Sequence, residues 1–196
     1  PKFSLQEVNG AVKLMFASDI HGSAFYCRRM VERYKKSGAK RLVLLGDILY
    51  HGPRNDLPRD YAPKEVIAML NPLKHEIYAV RGNCDTEVDQ MVLEFPIMAD
   101  YGVLAIEGKI LYATHGHVFN EEHLPPVLPG DILVHGHTHL LRADRVDTAD
   151  CGPICILNPG SVSIPKGGNP PTYGLLEDGV FTILTLDGEA VKELKL

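Results

Sequence analysis

Three things are scarce in this chain of 196 residues. No apolar run approaches the ~20 residues that a membrane-spanning helix needs. The first residues also lack the basic and apolar regions of a secretory signal, so a cytoplasmic location is the default expectation. A basic excess is missing too. Twenty Lys and Arg stand against 25 Asp and Glu, a formal net charge of −5. No Lys/Arg cluster makes a stripe, so long nucleic acid is not an expected partner. Paired cysteines are the third absence. Cys27, Cys84, Cys151 and Cys155 are scattered, and free thiols are expected of an apparently intracellular chain. Cys151-Gly152-Pro153-Ile154-Cys155 lacks the second pair that a zinc knuckle requires. No internal repeat, low-complexity segment or linker is visible, and the length suits one domain with a full core.

What is present is 45% apolar residues and nine His. Residues 1–11 are polar and aperiodic. They are expected to be an extension outside the core, a mobile arm or a cloning remnant, ahead of a single domain over 12–196. Val12 to Phe16 reads as a buried strand. Ser23 then suits a helix N-cap, with a helix over 24–36 stopped by Gly38 and an apolar stripe of Phe25, Met30, Val31 and Tyr34. Arg28, Arg29, Arg33 and Lys35 read as its solvated face. Arg41 to Leu45 and Ile77 to Val80 are two further strands. A helix opened by Pro63 lies between them, and a short one over 86–93 follows. Beyond that helices nearly stop. A hairpin over 102–114 turning at Glu107-Gly108, strands over 131–134, 140–146 and 154–157, a hairpin around Gly179 and a last strand over 191–196 make the second half mostly antiparallel. The pattern predicts an α/β protein with two sheets packed face to face and helices outside.

Five strands end in one kind of chemistry: Asp19-Ile20-His21, Gly46-Asp47, Gly82-Asn83, His115-Gly116-His117 and Gly136-His137-Thr138-His139. Alone, an Asp and a His two residues apart are more often a hydrogen-bonded pair or a helix cap. On a strand, however, they share a face, and the carboxyl ends of parallel strands share a rim where ligands bind. Two Asp, one Asn and up to five His, without thiolate, form a mixed N/O donor set. It suits Mn²⁺, Fe, Co²⁺ or Zn²⁺ rather than Ca²⁺ or Mg²⁺ alone. Seven ligands exceed one tetrahedral ion and fit two ions sharing one ligand. Two carboxylates against two divalent cations leave about two positive charges, an anion trap suited to phosphate.

In this order, Asp-x-His, Gly-Asp, Gly-Asn-x-Asp, Gly-His and Gly-His-x-His resemble the signature of the calcineurin-like metallophosphoesterase superfamily, over about residues 13–187. A closer resemblance is to small bacterial phosphodiesterases of the YfcE type. It rests on Asp19-Ile20-His21-Gly22-Ser23, His51-Gly52-Pro53-Arg54-Asn55, Gly82-Asn83-Cys84-Asp85 and Asn158-Pro159-Gly160-Ser161, with Pro165-Lys166 after it. The resemblance implies a four-layer α/β/β/α sandwich. It implies that Asp19, His21 and His139 hold one metal, that Asn83, His115 and His137 hold a second, and that Asp47 bridges them. Two divalent transition-metal ions are implied, Mn²⁺ first, then Fe, Co, Ni or Zn. A metal-bridging hydroxide would attack phosphorus in line, with Asn83 helping to stabilise the charge that develops there.

At position 84 most of the family carries a His that hydrogen-bonds phosphate and protonates the leaving group, whereas this chain has Cys84. A thiol is a weak donor and an indifferent general acid, or simply a pocket wall. Diesters with good leaving groups are therefore favoured over phosphomonoesters. Asp85 is expected to orient a neighbouring ligand His. His117 reads as a phosphate contact or a loop cap. His51, Arg54 and Lys166 are candidate substrate contacts, the alternative being exposed loop residues. His135 is expected to point away from the metals. The expected partner is a small phosphate ester, with no membrane involved and self-association left open. The competing functions are a monoesterase, a nuclease, and a non-catalytic scaffold like the retromer subunit that shares this resemblance.

Overall fold

The computed structural model describes residues 12–106 and 108–196; the residue 1–11 extension and Glu107 of the expected turn lie outside them. The chain opens as β1 (Leu14–Ala17), α1 (Ala24–Ser37), β2 (Arg41–Leu44), α2 (Pro63–Leu70, continued by a 3₁₀ turn at Asn71–Leu73), β3 (Ile77–Ala79) and α3 (Glu87–Val92). Strands follow without further helices: β4 (Tyr101–Ile106), β5 (Lys109–Thr114), β6 (Ile132–Val134), β7 (Leu141–Thr148), β8 (Gly152–Pro159), β9 (Thr172–Glu177), β10 (Val180–Thr185) and β11 (Ala190–Lys195). They form a six-stranded sheet in the order β11-β10-β9-β1-β2-β3 and a five-stranded sheet in the order β4-β5-β6-β8-β7.

Period-two alternation explains why β1 and β2 read as unbroken apolar runs. Leu14 and Phe16 enter the core between the two sheets, while Met15 and Ala17 enter the core beneath the helices. Val43 divides from Leu42 and Leu44 in the same way. Fully buried Phe16 meets Phe181 of β10 edge-on at 5.8 Å. Each ring contributes ~2–3 kcal/mol through its burial. On the outer side α1 presents Cys27, Met30, Val31 and Tyr34, and α2 presents Val66 and Leu70. Ser23 Oγ accepts from Tyr26 N, and Gly38 takes the left-handed C-cap. The outer face of the second sheet is covered by the irregular segment 118–131, whose Leu124 and Val127 pack on Ile154 and Ile156.

Two expectations change. The second half is mostly antiparallel as expected, but not at the centre of the five-stranded sheet: β5 pairs parallel with β6, and β6 parallel with β8. Long crossovers reach β6 and β8, and burial on both faces hides the strand direction from the pattern. Nor is the basic face of α1 left wholly to water. Arg33 Nε donates to Leu186 O at 2.7 Å, and Arg29 and Arg28 pair with Asp187 and Glu65. Parallel β1, β2 and β3 of one sheet and β5 and β6 of the other thus deliver their carboxyl ends to one rim.

Candidate metal centre

The loops after β1, β2 and β6 leave their strands through left-handed residues. Asp19 (φ 59°), His21 (48°), Asp47 (55°), His137 (65°) and His139 (60°) all occupy that region. Strand pleating therefore does not bring Asp19 and His21 together, because both lie beyond β1. Their convergence comes from alternate left-handed residues, and the His137/His139 pair repeats it. Such conformations cost of order 1–3 kcal/mol each and persist where surroundings fix them. Here His21 N donates to Asp47 O (2.9 Å), Asp19 N to Gly46 O (3.1 Å), and the Ser161 and Ser163 hydroxyls both donate to Asp19 O (3.0 Å each). Asn158 Nδ2 donates to Gly136 O and to Thr138 Oγ1, holding the histidine loop, so Asn158 and Ser161 act as braces. Glycines make the approach possible. A Cβ on Gly82 would lie 2.1 Å from Asp47 Oδ1, and one on Gly136 1.9 Å from Ser18 Oγ.

Each aspartate has one oxygen held and one presented. Asp47 Oδ1 accepts from Cys84 N (2.8 Å) and Asp19 Oδ2 from His137 N (3.1 Å). Asp47 Oδ2 lies 3.6 Å from His21 Nε2 and 3.4 Å from His115 Nε2. Asp19 Oδ1 lies 3.1 Å from His139 Nε2 and 3.6 Å from His21 Nε2, is buried, and has no aligned hydrogen-bond donor. The imidazoles are oriented from behind. Nδ1 of His21, His115 and His139 sits 2.7, 2.7 and 2.6 Å from the carbonyls of Tyr50, Leu45 and Ile164. Those bonds fix the tautomer, so the neutral rings turn bare Nε2 lone pairs toward the carboxylates. His21 Nε2 and His139 Nε2 face each other at 3.4 Å, and His115 Nε2 faces Asn83 Oδ1 at 3.0 Å and His137 Nδ1 at 3.2 Å. Acceptor facing acceptor across a buried space needs cations or protons between. The donor set fits divalent metal.

The electrostatics agree. Burial pushes the Asp19 carboxyl up, but the His139 and His21 rings and the His115 charge hold it well below the usual carboxylate range. For Asp47, too, burial pushes up and is outweighed, chiefly by His115. Burial pushes His115 down, yet Asp47 and Asp19 raise it to about 9. Burial and the His115 charge push His137 down to about 4. Without metal, protons shared among these rings balance the two carboxylates. Buried groups within 4.8 Å of one another that could hold an ion include Asp19-His21-His139 and Asp19-Asp47-His115. A third set, His21-Asp47-Cys84, brings in a thiol that the sequence reading left out of the donor set; burial and Asp47 push that thiol up to about 12, so it stays neutral.

A cleft of about 400 Å³ opens over these groups, lined by His21, Asp47, Asn83, Cys84, His137 and His139 with Arg54, Asn55, Thr138 and Lys166 at the rim. Arg54 and Lys166 thus lie where a substrate contact would stand. His51 does not line this cleft: its ring packs edge-on between Tyr50 and Tyr61. His117 is exposed beside His115 and His137, at ring separations of 5.3 and 6.2 Å, and is also outside the lining. His135 turns its Nδ1 to Gly136 O at 3.1 Å. Asp85 does not orient a histidine. Its carboxylate accepts from Gly82 N (2.7 Å), Asp47 N (2.8 Å) and Ile48 N (2.9 Å), tying the β2 and β3 loops together. Asn55 and Thr138 also line the cleft; the sequence carries them inside His51-Gly52-Pro53-Arg54-Asn55 and Gly136-His137-Thr138-His139 without marking a role for either.

Comparison with known proteins gives the class. The profile of the calcineurin-like phosphoesterase superfamily domain matches residues 12–178. The chain belongs to that superfamily, hydrolases of phosphoric ester bonds. It is 51% identical to phosphodiesterase YfcE of Escherichia coli (strain K12) over 180 residues, which cover 92% of this chain and 95% of that protein. The solved structure of E. coli YfcE, a phosphoesterase, superposes with a TM-score of 0.89 at 50% identity over 93% of this chain and 98% of that one. Vps29 of Entamoeba histolytica shares the fold alone, with a TM-score of 0.60 at 22% identity over 93% of this chain and 98% of its own. Among the described residues no helix is long and apolar enough to cross a membrane.

Proposed function

We propose that this chain is a phosphodiesterase working at a dinuclear centre built in a single domain over residues 12–196. Asp19, His21 and His139 hold one divalent transition-metal ion, Asn83, His115 and His137 hold the other, and Asp47 is shared. Mn²⁺ is the expected ion, with Fe, Co, Ni or Zn as substitutes. The observation that carries this reading is Asp47 Oδ2, which stands 3.6 and 3.4 Å from imidazole nitrogens belonging to the two sets. When bound, the ions supply Lewis acidity to the attacking water and to the phosphoryl oxygens.

The chain's own groups do the rest. Cys84 N and His137 N fix the aspartates by their outer oxygens, so each inner oxygen needs no reorganisation. Asn83 is exposed at the cleft with its Oδ1 toward His115; its Nδ2 donates to Cys84 Sγ at 3.3 Å, which leaves one N–H for a phosphoryl oxygen. Cys84 lines the cleft where a proton donor would serve the leaving group, and a neutral thiol serves poorly. The reading therefore favours diesters with good leaving groups over monoesters. The complete donor set favours an enzyme over a scaffold. Manganese-loaded protein assayed on bis-p-nitrophenyl phosphate and on p-nitrophenyl phosphate tests it. The diester is expected to be the better substrate, and Asp47→Asn is expected to abolish turnover of both. Retained turnover in that variant would overturn the dinuclear centre.

A further inference from the structure

Among the described residues, Arg54 is the one arginine whose guanidinium meets no acceptor or aromatic face. Every other arginine there donates to a carboxylate or carbonyl, or lies over an aromatic ring. The Lys166 ammonium likewise has no partner among the described residues, and the two side chains line the same cleft. In a chain of net charge −5, Arg54 and Lys166 bring two cations without a carboxylate partner among the described residues to one cleft.

Their supports bring them to the cleft from two loops. Lys166 N donates to His139 O at 3.1 Å. Arg54 follows four residues after Tyr50, whose carbonyl meets His21 Nδ1 at 2.7 Å, and Asn55 fastens the intervening turn through His51 O at 2.9 Å. Lys166 is thus anchored beside His139, while the turn that carries Arg54 runs from the His21 anchor to Cys84, where a Cβ on Gly52 would lie 3.2 Å from Sγ; both side chains line the one cleft. Charge bookkeeping separates them from the reacting phosphate. Two divalent ions less Asp19 and Asp47 leave about two positive charges, which a diester monoanion and the attacking group already neutralise. Arg54 and Lys166 answer to charge elsewhere on the substrate.

Resting on the phosphodiesterase reading, we infer that Arg54 and Lys166 form an anion subsite for one ester arm, and that the substrate is a small phosphodiester whose arm carries a second phosphate or a carboxylate. A guanidinium fork matches either group, and an ammonium adds a point charge. A cleft of about 400 Å³ holds one such arm and not a long polymer.

The probes are p-nitrophenyl ethyl phosphate and two analogues whose ethyl arm ends in phosphate or in carboxylate, followed by nitrophenolate release from manganese-loaded protein. Calorimetric titration uses the matching p-nitrobenzylphosphonates, in which a methylene replaces the scissile ester oxygen. An anionic arm is expected to lower both KM and Kd about tenfold in the wild-type protein. Arg54→Ala/Lys166→Ala is expected to shrink that advantage below about threefold, and Arg54→Lys to keep part of it. High salt should erode the advantage. The better of the two arms identifies the anion. An equal Kd for all three arms in the wild-type protein, or an advantage untouched in the double variant, overturns the subsite. Binding preference without turnover of any probe would contradict the phosphodiesterase reading and leave the subsite standing.

Discussion

Asp19 and Asp47 are held in one way: each gives its outer oxygen to a backbone N–H, from His137 at 3.1 Å and from Cys84 at 2.8 Å, and turns its inner oxygen to imidazole nitrogens. His137 belongs to the second sheet and Asp19 to the first, so one of these bonds crosses the sandwich and couples the site to the packing of the two sheets. The same geometry leaves these groups to share protons when no cation is bound.

Metal removal should therefore cost stability as well as turnover. A ligand present at about a thousand times its dissociation constant stabilises by ~4 kcal/mol, which for a chain of this length is a Tm change of about 10 °C. Dialysis against a chelator is expected to lower Tm by that order, and added Mn²⁺ to restore it. An unchanged Tm, followed by circular dichroism, would argue that these groups bind no ion tightly.

Asp85 is expected to matter structurally rather than as a histidine partner. Asp85→Ala strands the buried N–H groups of Gly82, Asp47 and Ile48, at ~1–3 kcal/mol for each unpaired donor. Thermal melts of the metal-free variant should fall by about 10 °C or more relative to metal-free wild type. A melt within about 2 °C would show that solvent replaces the carboxylate.

The four cysteines should separate by reactivity. Burial pushes the Cys27 thiol up to about 12, and burial with the Asp47 charge does the same for Cys84. A raised thiol pKa keeps the unreactive protonated form, so at pH 8 neither carries appreciable thiolate. Cys155 is buried and Cys151 partly exposed. Iodoacetamide on the native protein, read by peptide mass spectrometry, should label Cys151 first and the other three only after unfolding. Rapid native labelling of Cys84 would contradict its neutral, walled position.

The strands were legible because alternation into two cores leaves continuous apolar runs, as in β1 and β2, and because the turns carry Gly or Pro at their bends. The convergence of Asp19, Asp47, His115, His137 and His139 was legible from five polar endings after such runs. Its mechanism was not, because left-handed Asp and His residues leave no mark in a sequence and strand pleating offered a plausible substitute. The parallel pairing of β5, β6 and β8 was hidden for a related reason: a short strand buried on both faces reads the same in either direction. Asp85 and His51 were misplaced by proximity in sequence. One turned to backbone N–H groups and the other to two tyrosine rings, choices that tertiary packing alone makes.

The most direct measurement is the metal content of manganese-reconstituted protein by inductively coupled plasma mass spectrometry, alongside His139→Ala and Asp47→Asn. About two ions per chain are expected for wild type and about one for His139→Ala, with Asn83, His115 and His137 still occupied; Asp47→Asn should fall below one. One ion in the wild-type protein, or two retained in both variants, would contradict a dinuclear centre bridged by Asp47.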